Sequence, residues 1–218
     1  MLQAIIFDMD GVIVDSEDSF LRSKQQLLQE LGINVEMSYH YQFFGTTSDS
    51  TWTKIKSEFN LPLSVETYIQ RATEIREAIV QAEGIHPIPG VLDLIQHFHQ
   101  NGVKLAVASS SPMQDISTVM DTFGIRDCFQ TLVSATACQN SKPFPDVFLL
   151  AAEQLGVEPK DCLVIEDSRN GTIAAKAANM TCIGYRNPNF VCQDLDHADL
   201  VVDNFKDLNI DQCRQLVG

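Results

Sequence analysis

Positive charge is what this chain has least of. Lys and Arg together number 15 against 29 Asp and Glu, which leaves a formal net charge of −14. A surface that acidic repels nucleic acid and anionic membranes, so neither is expected as a partner. It also sets a condition on any phosphorylated ligand, which needs a cation held locally against the global field. Long apolar runs are missing as well, and none approaches the length of a membrane span. The opening MLQAIIFDMD has too short an apolar stretch, and acids too early, to read as a secretory signal, so a cytoplasmic protein is expected. The 6 cysteines include no CxxC pair, and His97 and His99 have no nearby Cys. That pattern predicts reduced, structural thiols rather than a zinc site. The absence of a long apolar heptad predicts a monomer.

What is present is ordinary for a globular chain: 44% hydrophobic and 20% charged over 218 residues, enough to bury a full core in one or two domains. Apolar runs at 3–8, 105–109, 131–135, 162–166, 181–185 and 199–203 read as buried strands. Between those of the second half lie helix-like stretches at about 90–100, 112–123, 145–155, 169–179 and 205–216. Non-alternating apolar strands separated by helices predict an α/β fold, a Rossmann-like parallel sheet with helices on both faces. Residues 15–83 break the rhythm. Leu21, Leu27, Leu28 and Leu31 follow helical spacing, Gly32 closes that helix, and helical patterns return at 48–59 and 64–82. Two prolines and two glycines in 83–90 read as a hinge. The expected organisation is a core of 1–14 and 88–218 with a helical cap, 15–87, inserted after the first strand.

Chemistry is expected where the strands end. In an open parallel sheet, ligands collect at the carboxyl ends of the strands. The first strand delivers Asp8 and Asp10, two carboxylates on one side of an extended chain, which crowd each other unless a cation lies near. The second delivers Ser109, then Ser110 and Ser111, with Pro112 opening a helix. Ser141-Lys142-Pro143 follows the third, and the fourth ends at Glu166-Asp167-Ser168. Each has a plain reading alone: turn acids, a helix cap, a surface lysine, acids at a helix start. Together they are the inventory for a divalent cation and a phosphoryl group.

FDMDGVIVDS at 7–16, Ser109 at its strand end, SKPFPD at 141–146 and IEDSRNG at 165–171 resemble, in order and spacing, the four motifs of the haloacid dehalogenase superfamily. The helical insertion resembles the cap of its β-phosphoglucomutase-like branch. The resemblance implies that Asp8 is the nucleophile forming an aspartyl-phosphate and Asp10 the general acid, then base. It implies that Ser109, with backbone N–H groups such as that of Ser110, binds the phosphoryl group and that Lys142 neutralises charge. It further implies that Mg2+ is held by Asp8, Asp167 and the backbone carbonyl of Asp10, with Glu166 orienting that shell. The dehalogenase branch lacks the second acid of the first motif, so Asp10 argues against that activity.

Three readings follow from the resemblance. A magnesium-dependent phosphatase of a small phosphorylated metabolite, a sugar phosphate, is preferred. A β-phosphoglucomutase-type mutase is the alternative, weakened by Phe20 where that pattern carries His and by Ser48-Asp49 where it carries Arg. A non-catalytic phosphate-sensing regulator is the third. Gly45-Thr46-Thr47 is a candidate substrate loop of the cap. Asp15 and Ser16 are expected to cap a helix, and Arg71 and Arg76 to be solvated. Trp52, Phe43 and Phe44 are expected to build the cap's core.

Overall fold

The computed structural model describes residues 1–43, 47–188 and 194–218. The chain divides into two compact units, one of residues 1–15 and 86–218 and one of residues 16–85. Among the described residues, the first unit is built on six strands: β1 (Ala4–Phe7), β2 (Lys104–Ser109), β3 (Thr131–Ser134), β4 (Cys162–Glu166), β5 (Thr181–Tyr185) and β6 (Leu200–Val202). All neighbours pair in parallel, in the order β3-β2-β1-β4-β5-β6. β1 is therefore central, and Phe7 pairs with Val107 on one side and Ile165 on the other. The strands read as continuous apolar runs because both faces are covered. Ala4, Ile6, Ala106, Cys162 and Val164 turn to a core shared with Phe148, Ala151 and Ala175. Those partners lie on two helices, α6 (Asp146–Leu155) and α7 (Arg169–Ala177). On the opposite face, Phe7 packs edge-on against Phe129 and tilted against Phe98.

The remaining helices of this unit are α4 (Val91–Gln100), α5 (Met113–Thr122) and α8 (Ile210–Val217). His97 and His99 are exposed on α4, as its spacing predicts. The single helix expected at 205–216 is instead a 3-10 turn, Phe205–Asp207, followed by α8. The reason is local. Asn209 and Gln212 form a reciprocal capping box that starts a new helix. Where the chain leaves and re-enters this unit, Asp15 N–H donates to the His86 carbonyl (2.8 Å) and Ile88 N–H to that of Ile13 (3.0 Å).

The second unit packs α1 (Glu17–Glu30), α2 (Ser48–Glu58) and α3 (Val65–Glu83) around Leu27, Leu28, Trp52, Ile55 and Tyr68. Trp52 stacks on Tyr68 with ring centroids 5.7 Å apart, and Phe43 is buried with them, as expected for core aromatics. Each such side chain, fully buried, stabilises by about 1.5–3 kcal/mol. The capping expectation for Ser16 is corrected: it precedes α1, but its backbone is already helical and its hydroxyl accepts no cap hydrogen bond. An extended N-cap is what brings the side chain round to the N–H groups of the first turn. Among the described residues no helix is long and apolar enough to cross a membrane. Cys128, Cys138, Cys162, Cys182 and Cys213 are free thiols, and burial pushes Cys162 up to about 12 and Cys213 up to about 11. Cys192 lies outside the described residues.

Candidate active site

Asp8 follows β1 at the centre of the sheet and donates its N–H to the Ile165 carbonyl (2.9 Å), so the carboxyl ends of β1 and β4 stay in register. That register places Asp8 beside Glu166. Asp8, Glu166 and Asp167 are all buried, and one carboxylate oxygen from each lies within 4.8 Å of the others. Lys142 reaches the same point from the loop before α6. Its Nζ donates to Asp8 Oδ1 (2.5 Å), Glu166 Oε1 (2.9 Å) and the Ala108 carbonyl (3.2 Å). All three ammonium protons are thereby used. The Lys142 side chain is 6% exposed, which removes the surface-lysine reading.

One ammonium does not balance three buried carboxyl groups. Burial pushes the Asp8 carboxyl up to about 7; the Lys142 ammonium opposes this, while Glu166 and Asp10 reinforce it. Lys142 is held well above its ordinary value by Asp8 and Glu166, against its own burial. The surplus of negative charge is what a divalent cation offsets. Hard oxygen donors at this spread suit magnesium, which takes few protein carboxylates and completes its shell with water and substrate. The carboxylate cluster is of the kind that binds Mg2+ in this class of site.

Two glycines make the cluster possible. Gly11 has φ +78°, and an added Cβ there would overlap the Asp167 carboxylate. A Cβ on Gly171 would overlap that of Glu166. Glu166 is further fixed by Ser168, whose N–H (2.6 Å) and hydroxyl (2.9 Å) both donate to Oε2. With Oε1 on Lys142 and Oε2 on Ser168, both Glu166 oxygens are held, a geometry suited to orienting the others. The same Ser168 hydroxyl accepts from Gly171 N–H (3.0 Å) and caps α7.

Asp10 is not one of the three carboxylates that meet within 4.8 Å, though its charge reaches Asp8. Its Oδ2 accepts a hydrogen bond from the Ser111 hydroxyl (2.6 Å). Ser109 is fully buried at the end of β2, and its Oγ accepts from Ser111 N–H (3.0 Å). Ser110 is exposed. The helix after them is capped by Pro112, so none of the three serines serves as the N-cap residue of α5. Gly11, Ser168 and Gly171 lie within the quoted motifs and Ser111 two residues past Ser109, yet only helix capping was legible for the two serines. A Ser three residues before Gly171 at a helix start was a capping signal for Ser168.

In the helical unit, Thr47 accepts from Ser50 N–H (3.2 Å) and caps α2. Gly45, Thr46 and Phe44 lie outside the described residues. Arg71 pairs with Glu30 at the surface (3.0 Å), as expected. Arg76 does not behave as a solvated charge. It stacks over Phe20 at 3.9 Å and lines a cavity of about 200 Å3 together with Glu17, Lys24, Trp52 and Thr73. Burial holds Lys24 below its ordinary value, against the pull of Glu17.

Comparison with known proteins adds four findings. One family, described as haloacid dehalogenase-like hydrolase, matches residues 5–185. The chain is 34% identical over 216 residues to hexitol phosphatase B of Escherichia coli K12, covering 94% of this chain and 96% of that protein. It is 32% identical over 201 residues to the putative phosphatase YhcW of Bacillus subtilis 168, covering 90% of each. Among solved structures, β-phosphoglucomutase from Clostridium difficile superimposes with a TM-score of 0.78 at 28% identity, covering 100% of this chain and 97% of that one.

Proposed function

The chain belongs to the haloacid dehalogenase-like hydrolases, and from that membership we propose a magnesium-dependent phosphatase of a small phosphorylated metabolite, a sugar phosphate, that works through an aspartyl-phosphate on Asp8. The observation that carries the reading is the buried meeting of Asp8 with Lys142, Glu166 and Asp167 at the end of the central strand. Asp8 attacks phosphorus, the bond from phosphorus to the ester oxygen breaks, and Asp10 gives that oxygen its proton. Water then attacks the acyl phosphate, Asp10 takes the water's proton, and the Asp8 carboxylate and inorganic phosphate are released. Lys142 fixes the orientation of the nucleophile and offsets charge on the phosphoryl oxygens. The Ser109 hydroxyl, whose oxygen already accepts from Ser111, turns its proton toward a phosphoryl oxygen. Asp8, Asp167 and the Asp10 carbonyl are the residues that would hold Mg2+. When bound, the ion supplies Lewis-acid stabilisation of the developing charge.

Relatives that act on phosphorylated polyols support the substrate class, since hexitol phosphatase B matches along nearly its whole length. A phosphosugar mutase is the second reading. Its support is the likeness to β-phosphoglucomutase from Clostridium difficile along the whole chain. The test is phosphate release from a panel of sugar and hexitol phosphates, with magnesium and with EDTA. Steady release that stops in EDTA supports the phosphatase. Rapid interconversion of β-glucose 1-phosphate and glucose 6-phosphate with a bisphosphate primer, without release, supports the mutase. No turnover of any ester supports a phosphate-sensing regulator.

A further inference from the structure

We propose that Ser111 is a positioning residue for the acid–base step: its hydroxyl holds one oxygen of the Asp10 carboxyl so that the other carries the proton passed to the leaving group. The inference rests on the phosphatase reading of Asp10 and deepens it.

Three bonds converge on Ser111. Its hydroxyl donates to Asp10 Oδ2 at 2.6 Å, joining residues 101 positions apart. Its N–H donates to Ser109 Oγ at 3.0 Å. Its carbonyl accepts from Ser134 Oγ at 2.7 Å. Ser109 and Ser134 are register partners at the ends of β2 and β3, both essentially inaccessible to solvent. Ser134 is oriented in turn. Its one proton goes to the Ser111 carbonyl, so its oxygen accepts from Thr136 N–H (3.2 Å) and from the Thr136 hydroxyl (2.8 Å). A loop residue thus has both its peptide groups gripped by buried strand-end hydroxyls. Little but its side-chain rotation is left, and that is spent on Asp10. Helix capping would not explain this, because Pro112 holds the N-cap position.

The chemical consequence concerns the two carboxyl oxygens. A hydroxyl has one proton, and Ser111 gives it to Oδ2. Oδ1 is then the oxygen that Ser111 does not hold, and the Ser111 bond fixes how the Asp10 carboxyl is turned. A general acid must be held close to the ester oxygen to act, and an orienting third group is how such acids are commonly held.

The experiment is a comparison of kcat/KM for an ester whose leaving group needs the proton with one whose leaving group does not. An alkyl ester such as a hexitol phosphate needs it; 4-nitrophenyl phosphate needs it little. In Ser111→Ala the alkyl rate falls by about tenfold or more while the 4-nitrophenyl rate stays within about threefold. Ser111→Thr keeps a hydroxyl and keeps the wild-type ratio of the two rates. The ratio is insensitive to partial misfolding, which lowers both rates alike. Parallel losses on both esters, or no loss on the alkyl ester, would overturn the role of Ser111 while leaving the phosphatase intact. A wild type that hydrolyses neither ester would remove the phosphatase reading and this one with it.

Discussion

Lys142 Nζ stands 2.5 Å from Asp8 Oδ1, joining two points of the chain 134 residues apart in a pocket almost closed to solvent. The contact is electrostatic in a place where charge is poorly solvated. Removing the ammonium leaves Asp8 and Glu166 buried with their shared cation gone. Breaking a buried pair from one side costs about 3–5 kcal/mol, because the remaining charge is uncompensated. Lys142→Met should therefore lower the thermal midpoint by roughly 2–4 °C per kcal/mol lost. Turnover should fall by about 100-fold or more, as charge stabilisation of the phosphoryl group goes with it. Melting curves and steady-state rates check both. Turnover within about tenfold of wild type would mean that Lys142 is structural only.

The covalent intermediate separates the two aspartates of the first motif. With a phosphate ester labelled on phosphorus, rapid quenching should recover label on the wild-type protein in a bond that hydroxylamine cleaves, as an acyl phosphate requires. Asp8→Asn should carry no label and show no turnover. Asp10→Asn should behave differently when the leaving group needs no proton. It should still form the acyl phosphate from 4-nitrophenyl phosphate and then hold it, because water attack lacks its base. Label on Asp8→Asn would place the nucleophile elsewhere.

The acid surplus predicts a trade between stability and metal response. Asp8, Glu166 and Asp167 lie within 4.8 Å of one another, and Lys142 offsets one charge only. Without magnesium, Asp167→Asn relieves repulsion and should melt at a higher temperature than wild type. With magnesium the order should reverse. A ligand at 100 times its dissociation constant stabilises the native state by about 2.7 kcal/mol, and the variant forfeits that gain. Calorimetry of both proteins across a magnesium series is the measurement. An identical magnesium shift in the two would remove Asp167 from the metal site.

Much of this site could be read before any coordinates because each acid sits where a strand pattern stops. Asp8 follows Ile5-Ile6-Phe7, and Glu166 closes CLVIE; both runs are buried throughout. Periodicity and the rule that ligands gather at strand ends were enough to bring them together. Ser111 was invisible by the same logic. Its partner is Asp10, and no pattern says which of three consecutive serines turns that way. Gly171 was equally opaque, since the need for hydrogen in place of a Cβ comes from how close Glu166 lies to α7. Arg76 was misread because its helix is polar on most sides; the ring of Phe20 holds it from another helix. Local patterns give faces and ends of elements. Which side chain crosses to which is a property of packing.

His40 offers a test of the helical unit that needs no substrate. The Gln25 side-chain N–H donates to the Val35 carbonyl (2.9 Å), which turns the Gln25 oxygen toward His40 Nε2 (2.7 Å). Nε2 must then be the protonated nitrogen of a neutral ring. Nδ1 is buried with no hydrogen-bond partner among the described residues, so a second proton there would find no acceptor. Burial, with a smaller push from the Lys24 ammonium, lowers the His40 pKa from 6.5 to about 4. The unfolded chain then binds more protons than the native one between those two values. Stability is fully present above the unfolded pKa and is lost as the pH falls through that window. Between pH 7.5 and pH 5.0 the loss from this residue should be about 1–2 kcal/mol, allowing for solvent screening. Urea unfolding at the two pH values, for wild type and His40→Gln, isolates it: the variant should lose less stability on acidification by that amount. Equal losses would mean that the ring is as readily protonated in the folded protein as in the unfolded chain, and that the buried Nδ1 reaches water.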